Sequence, residues 1–132
     1  MKMVFMAYLP GSMEAVDFYC KAFNASAKNC FKANDGDNFY AHAEIVINNK
    51  TVLAISDILT IKDTPRYIAD FERKNNMQFW LNFDDEQSLT AAYHALKEKA
   101  QIHCPLAPCE WCSQMTDLTD KFGIRWLLTY GH

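Results

Sequence analysis

The sequence predicts an α+β fold, with two βαβββ modules whose strands form a cupped, mixed and largely antiparallel sheet. Three observations point there. The order strand, helix, several strands runs through the chain twice, a repeat of elements rather than of residues. Residues 40–56 carry a clear hairpin pattern, with a turn at Asn48-Asn49-Lys50 between two apolar runs. Further on, Ile124, Trp126, Leu128 and Tyr130 alternate with Arg125, Leu127 and Thr129, so one strand has an apolar face and a mixed one. Such a sheet has a core behind it and room for a site in front. The 132 residues suit a single domain over 1–132, with module one at about 1–75 and module two at about 76–132.

Residues 3–9 read as a strand stopped by Pro10-Gly11. Ser12 is placed to cap a helix with Glu14 in its first turn. Ala15, Val16, Tyr19, Ala22 and Phe23 then fall on one helical stripe that ends near Asn24. A strand over 25–32 follows, then a turn-rich break at 34–38, then the hairpin of 40–47 and 51–56. Segment 57–75, with Pro65 and a charged run from Asp70, reads as a crossing segment with one helical turn. The second round opens on an alternating strand over 77–83. Asp84, with Gln87 three residues on, resembles a capping box, ahead of a helix with Leu89, Ala92, Tyr93, Leu96 and Ala100 on one stripe. Strand patterns near 101–104, 113–119 and 124–130 complete it, the last two joined by a turn at Asp120-Lys121-Phe122-Gly123.

Composition narrows the function. Half the residues are hydrophobic and 14% aromatic, which argues for a packed domain over a disordered one. Lys and Arg number 13 against 16 Asp and Glu, with no basic run, so neither nucleic acid nor an anionic membrane surface is an expected partner. No apolar run approaches the roughly 20 residues of a membrane span. The opening Met1-Lys2-Met3-Val4-Phe5-Met6 is too short for a signal peptide and reads as strand. Five scattered cysteines then suit a cytoplasmic protein with reduced thiols.

The element order, with Tyr8-Leu9, Glu14-Ala15-Val16-Asp17-Phe18-Tyr19, His42-Ala43-Glu44 before a hairpin, and Trp111 followed by Asp120-Lys121-Phe122-Gly123-Ile124-Arg125-Trp126, resembles the vicinal-oxygen-chelate superfamily. This is the glyoxalase, bleomycin-resistance and extradiol-dioxygenase group. More narrowly the chain is similar to its PhnB-like branch, often labelled 3-demethylubiquinone-9 3-methyltransferase-like. Lys121 departs from the branch, which usually has Pro in that turn. The resemblance implies homodimers, and a divalent metal held by His or Gln and Glu side chains from four inward strand positions. Those positions fall here on Val4, near 54–56 where no Glu stands, on Gln78 and on Leu127. Only Gln78 could ligate, so the expectation is no metal and no cofactor.

Tyr40, His42 and Glu44 share one strand face, opposite Ala41, Ala43, Ile45 and Ile47. A His and a Glu roughly 7 Å apart along a strand are candidate catalytic residues, as an acid–base pair; the structural alternative is a His bonded across the sheet. Gln78, Trp80 and Asn82 form an amide–indole–amide face suited to a small-molecule cavity with one stacking wall. Arg125 shares its face with Leu127, either to attract an anion or simply paired with an acid. The expected ligand-binding set is Tyr40, His42, Gln78, Trp80, Trp111, Arg125 and Leu127, with His42 and Trp80 bordering one cavity. In His103-Cys104-Pro105-Leu106-Ala107-Pro108-Cys109-Glu110-Trp111-Cys112, adjacent His103 and Cys104 cannot easily face one zinc. Cys109-x-x-Cys112 lacks a helix N-terminus to lower a thiol pKa, and the prolines mark a loop. Cys20 and Cys30 read as small apolar fillers.

The expected function is binding of a small molecule in the sheet cavity, without the superfamily's metal chemistry. Two alternatives stay open. One is a lyase- or isomerase-type enzyme using His42 and Glu44, or a metal on rearranged ligands. The other is an antibiotic-sequestering resistance protein. A literal methyltransferase is rejected, since no nucleotide-binding βαβ unit with a Gly-rich turn is present. Nine Phe, six Tyr and three Trp are many for one thin layered domain, which favours a homodimer. Light scattering should return twice the chain mass of 15.2 kDa; a value equal to the chain mass at working concentration would overturn this.

Overall fold

The computed structural model describes residues 4–60 and 77–132. By their contacts these fall into two compact units, residues 4–60 without 21–23, and residues 77–132 with 21–23. The predicted crossing segment lies outside the described residues beyond Thr60.

In the first unit β1 (Met6–Leu9) leads into α1 (Ser12–Phe23), followed by β2 (Ser26–Phe31), β3 (His42–Ile47) and β4 (Lys50–Asp57). The sheet order is β1-β4-β3-β2, with β1 parallel to β4 and the other pairs antiparallel. Ala43 pairs with Ile55 and Ile45 with Leu53, and all four are buried. Each large aliphatic of such a face contributes about 1.5–3 kcal/mol through burial. The predicted stripe of α1 holds, with Ala15, Val16, Tyr19 and Ala22 buried and Phe23 half-buried. The β3–β4 turn puts Asn48 and Asn49 at φ of 50° and 61°, the left-handed pair that a tight right-twisted hairpin requires.

The start of α1 differs from expectation. Gly11, at φ 66°, is the cap residue and supplies no side chain. Ser12 is already helical. Its N–H donates to Asp57 Oδ2 at 3.0 Å, and its Oγ accepts from the Tyr40 N–H at 2.8 Å. The buried carboxylate at the end of β4 therefore caps the helix from a distance in sequence, which local spacing does not reveal.

The second unit repeats the plan with β5 (Phe79–Phe83), α2 (Glu86–Leu96), β6 (Gln101–Cys109), β7 (Cys112–Thr119) and β8 (Arg125–Tyr130). Its order, β5-β8-β7-β6, matches the first term by term. Asp85, one residue later than predicted, caps α2 by accepting from Ser88 N–H at 2.7 Å, and the Ser88 hydroxyl adds a second bond at 2.8 Å. The helix stops at Leu96, so Ala100 lies beyond it. The proline-marked loop is instead the edge strand β6. Its pairing with β7 shifts between Cys104 and Ala107 and again before Cys109, the edge and irregular positions where proline's missing N–H is tolerated. Cys30 is exposed rather than a filler. No helix among the described residues is long and apolar enough to cross a membrane.

The β7–β8 turn is organised by Asp120, which is 4% exposed. Its Oδ1 accepts from Phe122 N–H at 2.9 Å and Ile124 N–H at 3.1 Å, and its Oδ2 from Trp126 Nε1–H at 2.7 Å. Gly123, at φ 89°, completes the turn. Asp120→Ala should cost about 3 kcal/mol or more in urea unfolding, because it strands three donors, one of them a buried indole. Asp120→Asn, which keeps one acceptor oxygen, should cost less; equal losses would show that the bonds are not what holds the turn.

Candidate functional site

In the first unit, β3 places Ala43 and Ile45 inward, which turns His42 and Glu44 to the other face. His42 Nε2 lies 3.1 Å from Glu44 Oε1, with side-chain exposures of 24% and 20%. Thr51 Oγ1 donates to Glu44 Oε2 at 2.8 Å. Hydrogen bonds from His42 first, then Thr51 and Asn29, lower the Glu44 pKa from 4.5 to about 2. Glu44 is thus a carboxylate at neutral pH and accepts. The proton between the pair belongs to Nε2, and in the neutral imidazole the lone pair lies on Nδ1. Phe31 stacks on the ring at 5.5 Å and 26°. This arrangement orients His42 as a base or acceptor and leaves Glu44 a poor base itself. Tyr40, expected in the strand, precedes it, and its backbone binds Ser12 Oγ and Asp57 N–H.

In the second unit, the register builds rows across the sheet. Trp80 pairs with Leu127, Leu127 with Asp117 and Asp117 with Cys104. Beside that row, Asn82 pairs with Thr129 and Thr129 with Met115. The other face carries Leu118, Trp126 and Leu128, all buried. Trp80 is 50% exposed, yet its indole N–H donates to Thr129 Oγ1 at 2.9 Å. The Thr129 hydroxyl, fully buried, donates onward to Asn82 Oδ1 at 2.9 Å. An exposed indole held by a buried residue's hydroxyl is a pre-oriented stacking surface. Trp111, in the β6–β7 turn, stands edge-on to Trp80 at 6.2 Å. His132 lies 4.8 Å from Trp80 and 5.3 Å from Trp111, ring to ring.

Of the expected ligand residues, Trp80, Trp111 and Leu127 therefore share one neighbourhood. Gln78 is exposed just ahead of β5. Arg125 is not a waiting cation. Its Nη2 and Nε bind Asp117 Oδ2 and Oδ1 at 2.7 and 3.1 Å, and this partner raises its pKa. His42 stands in the first unit and Trp80 in the second. Thr129, Asp117 and His132 were not among the expected site residues. Thr129 and Asp117 become visible only once β8 is set in register between β5 and β7. A surface depression at Glu86, Gln87, Thr90, Ala91 and His94 of α2 contains none of these residues.

Two four-stranded mixed sheets of the same strand order, each with one α-helix among the described residues, define the glyoxalase/bleomycin resistance/dioxygenase fold. Residues 2–129 match the 3-demethylubiquinone-9 3-methyltransferase family, and the chain belongs to this PhnB-type family. The structure is similar to that of protein PA1353 from Pseudomonas aeruginosa, with TM-score 0.77, 22% identity, and 99% of this chain and 98% of that one covered. It is also similar to a putative 3-demethylubiquinone-9 3-methyltransferase, PhnB protein, from Bacillus cereus, at TM-score 0.68 and 18% identity, covering 99% and 98%. A glyoxalase/bleomycin resistance protein/dioxygenase superfamily member from Sphaerobacter thermophilus aligns at TM-score 0.58 and 18% identity, covering 98% of each chain. At these identities the structural likeness speaks for fold alone. No curated protein matches the chain.

The Glu44 network carries a pH signature. A depressed folded pKa gives stability that is present above the unfolded value and lost as pH falls through the folded one. Comparing wild type with Glu44→Gln, the stability advantage of wild type should be full above pH 4.5 and fade as pH falls towards about 2. Thermal melts across that range measure it; a difference that does not change with pH would dismiss the network.

Proposed function

We propose that this chain is a small-molecule-binding protein of the PhnB-like branch, which holds a planar, uncharged ligand against Trp80. The observation that carries this is the half-exposed Trp80 ring fixed through Thr129 to Asn82. An aromatic ring that is already held gives up little entropy on binding. The Arg125–Asp117 pair neutralises the one guanidinium that the described residues place on this face, which favours an uncharged ligand over an anion. Trp111 provides a second wall at right angles.

The reading includes loss of the superfamily's metal. Its four ligand positions fall on Val4, the stretch at 54–56, Gln78 and Leu127, and Ala54 is the residue paired with both Met6 and Glu44. That set offers one amide and no carboxylate or imidazole, which does not fit a divalent cation. Among the described residues no three His, Cys, Asp or Glu gather as a metal site. A cytoplasmic homodimer completes the proposal; exposed Phe31 and Met77 are apolar surface that a partner copy would cover. A second reading, proton-transfer catalysis of the lyase or isomerase type, is favoured by one observation, the Glu44 carboxylate that fixes the His42 tautomer.

Quenching of tryptophan emission by a panel of uncharged bicyclic aromatics tests the main reading. Trp80→Ala should weaken the best binder by about 1–3 kcal/mol, roughly 5- to 150-fold in Kd. Trp80→Phe should recover part of it. Binding that ignores Trp80→Ala would refute the site, and turnover lost in His42→Asn would establish the second reading.

A further inference from the structure

The β6–β7 hairpin closes through a two-residue turn, Glu110-Trp111, and the residues facing each other across its mouth are Cys109 and Cys112. Their sulfurs lie 2.8 Å apart. Facing residues in an antiparallel pair have Cα atoms about 4.5–5.5 Å apart, inside the range of about 4.4–6.8 Å that a disulfide spans. The backbone therefore already stands where a bridge would hold it. We propose that Cys109 and Cys112 are a reversible dithiol–disulfide site, oxidised by exchange with a small aliphatic disulfide of the glutathione type.

The two thiols are unequal in the way such exchange requires. Cys109 is half-buried and Cys112 only 7% exposed. Burial pushes the Cys109 thiol up, but the Cys112 thiol and the N–H groups of Trp111 and Cys112 outweigh it, and its pKa falls below the ordinary value. Cys112 goes the other way, to about 11, through burial and then through its neighbour. Cys109 is thus the attacking thiolate and Cys112 the resolving thiol. No helix N-terminus is needed, because hairpin amides and the paired thiol do its work.

In the first step Cys109 Sγ attacks one sulfur of the external disulfide, forming a mixed disulfide and releasing one small thiolate. With the Cys109 charge gone, that part of the upward push on Cys112 goes too. Cys112 then loses its proton, its Sγ attacks Cys109 Sγ, and the second small thiolate leaves. Two cysteine thiols are oxidised by two electrons, one external disulfide is reduced to two thiols, and the two cysteine protons end on those thiols. Trp111 sits inside the closed turn, 6.2 Å from Trp80, so indole emission reports the bridge. The site stands independently of any ligand on Trp80.

The test uses the full chain with the exposed Cys30 and Cys104 replaced by Ser, equilibrated in mixtures of oxidised and reduced glutathione. Alkylation followed by peptide mass mapping should show Cys109 and Cys112 lost together, as one bridged peptide, with tryptophan emission following the same midpoint. Adding Cys112→Ser should trap one glutathione on Cys109. Adding Cys109→Ser should leave Cys112 roughly tenfold slower to react. If Cys112→Ser fails to fold by circular dichroism, the mapped titration of the parent decides. Cys109 and Cys112 both remaining alkylatable across the series, or titrating separately, would overturn the proposal.

Discussion

Everything on the second sheet follows from where β8 sits, and Asp120 holds β8 in place. A turn of this kind could close one residue earlier or later at small cost to its own backbone. A one-residue slip would exchange the faces of β8, carrying Leu127 and Thr129 into the core and Trp126 and Leu128 out. Asp120 ties two turn amides and the Trp126 indole to a single carboxylate, so only one register satisfies all three. Because β8 lies between β5 and β7, that choice also decides which residues of both neighbours share the Trp80 face.

The first unit uses a buried acid for a different task. Asp57 accepts from Ser12 N–H with one oxygen and from Leu59 N–H with the other. It joins the last strand of the sheet to the first turn of the helix and to the segment leaving the strand. Ser12, freed from capping, closes the loop ahead of β3 by accepting from Tyr40 N–H. In each unit a fully engaged buried polar group fixes geometry that hydrophobic burial, being non-directional, would leave loose.

The fold was legible because its signals are local. Period-two alternation, an Asn-Asn turn and helical stripes each occupy a short window, and their doubled order identified the class. What failed was non-local. The cap on Ser12 comes from 45 residues away, and the partner of Arg125 lies across a hairpin at Asp117. Pro105 and Pro108 read as loop because the sequence does not say that their strand is at an edge. The site was legible as faces rather than as contacts. Alternation assigned Trp80 and Leu127 to one side, but Thr129 is an ordinary strand residue until pairing sets it beneath an indole.

The same alternation explains how such a fold can keep its shape while its chemistry changes. Along β8 the even-numbered residues Trp126 and Leu128 pack the core, and the odd-numbered Arg125 and Leu127 belong to the site face. A substitution at an odd position alters donors and charge without opening a cavity behind the sheet. An Asp117 that cancels Arg125 therefore leaves the core's packing energy nearly untouched. Thr129 is the exception, since it is buried and yet bonded to the site face. Its hydroxyl has no apolar substitute that would also hold Trp80, so it is the position where stability and site chemistry constrain the same side chain.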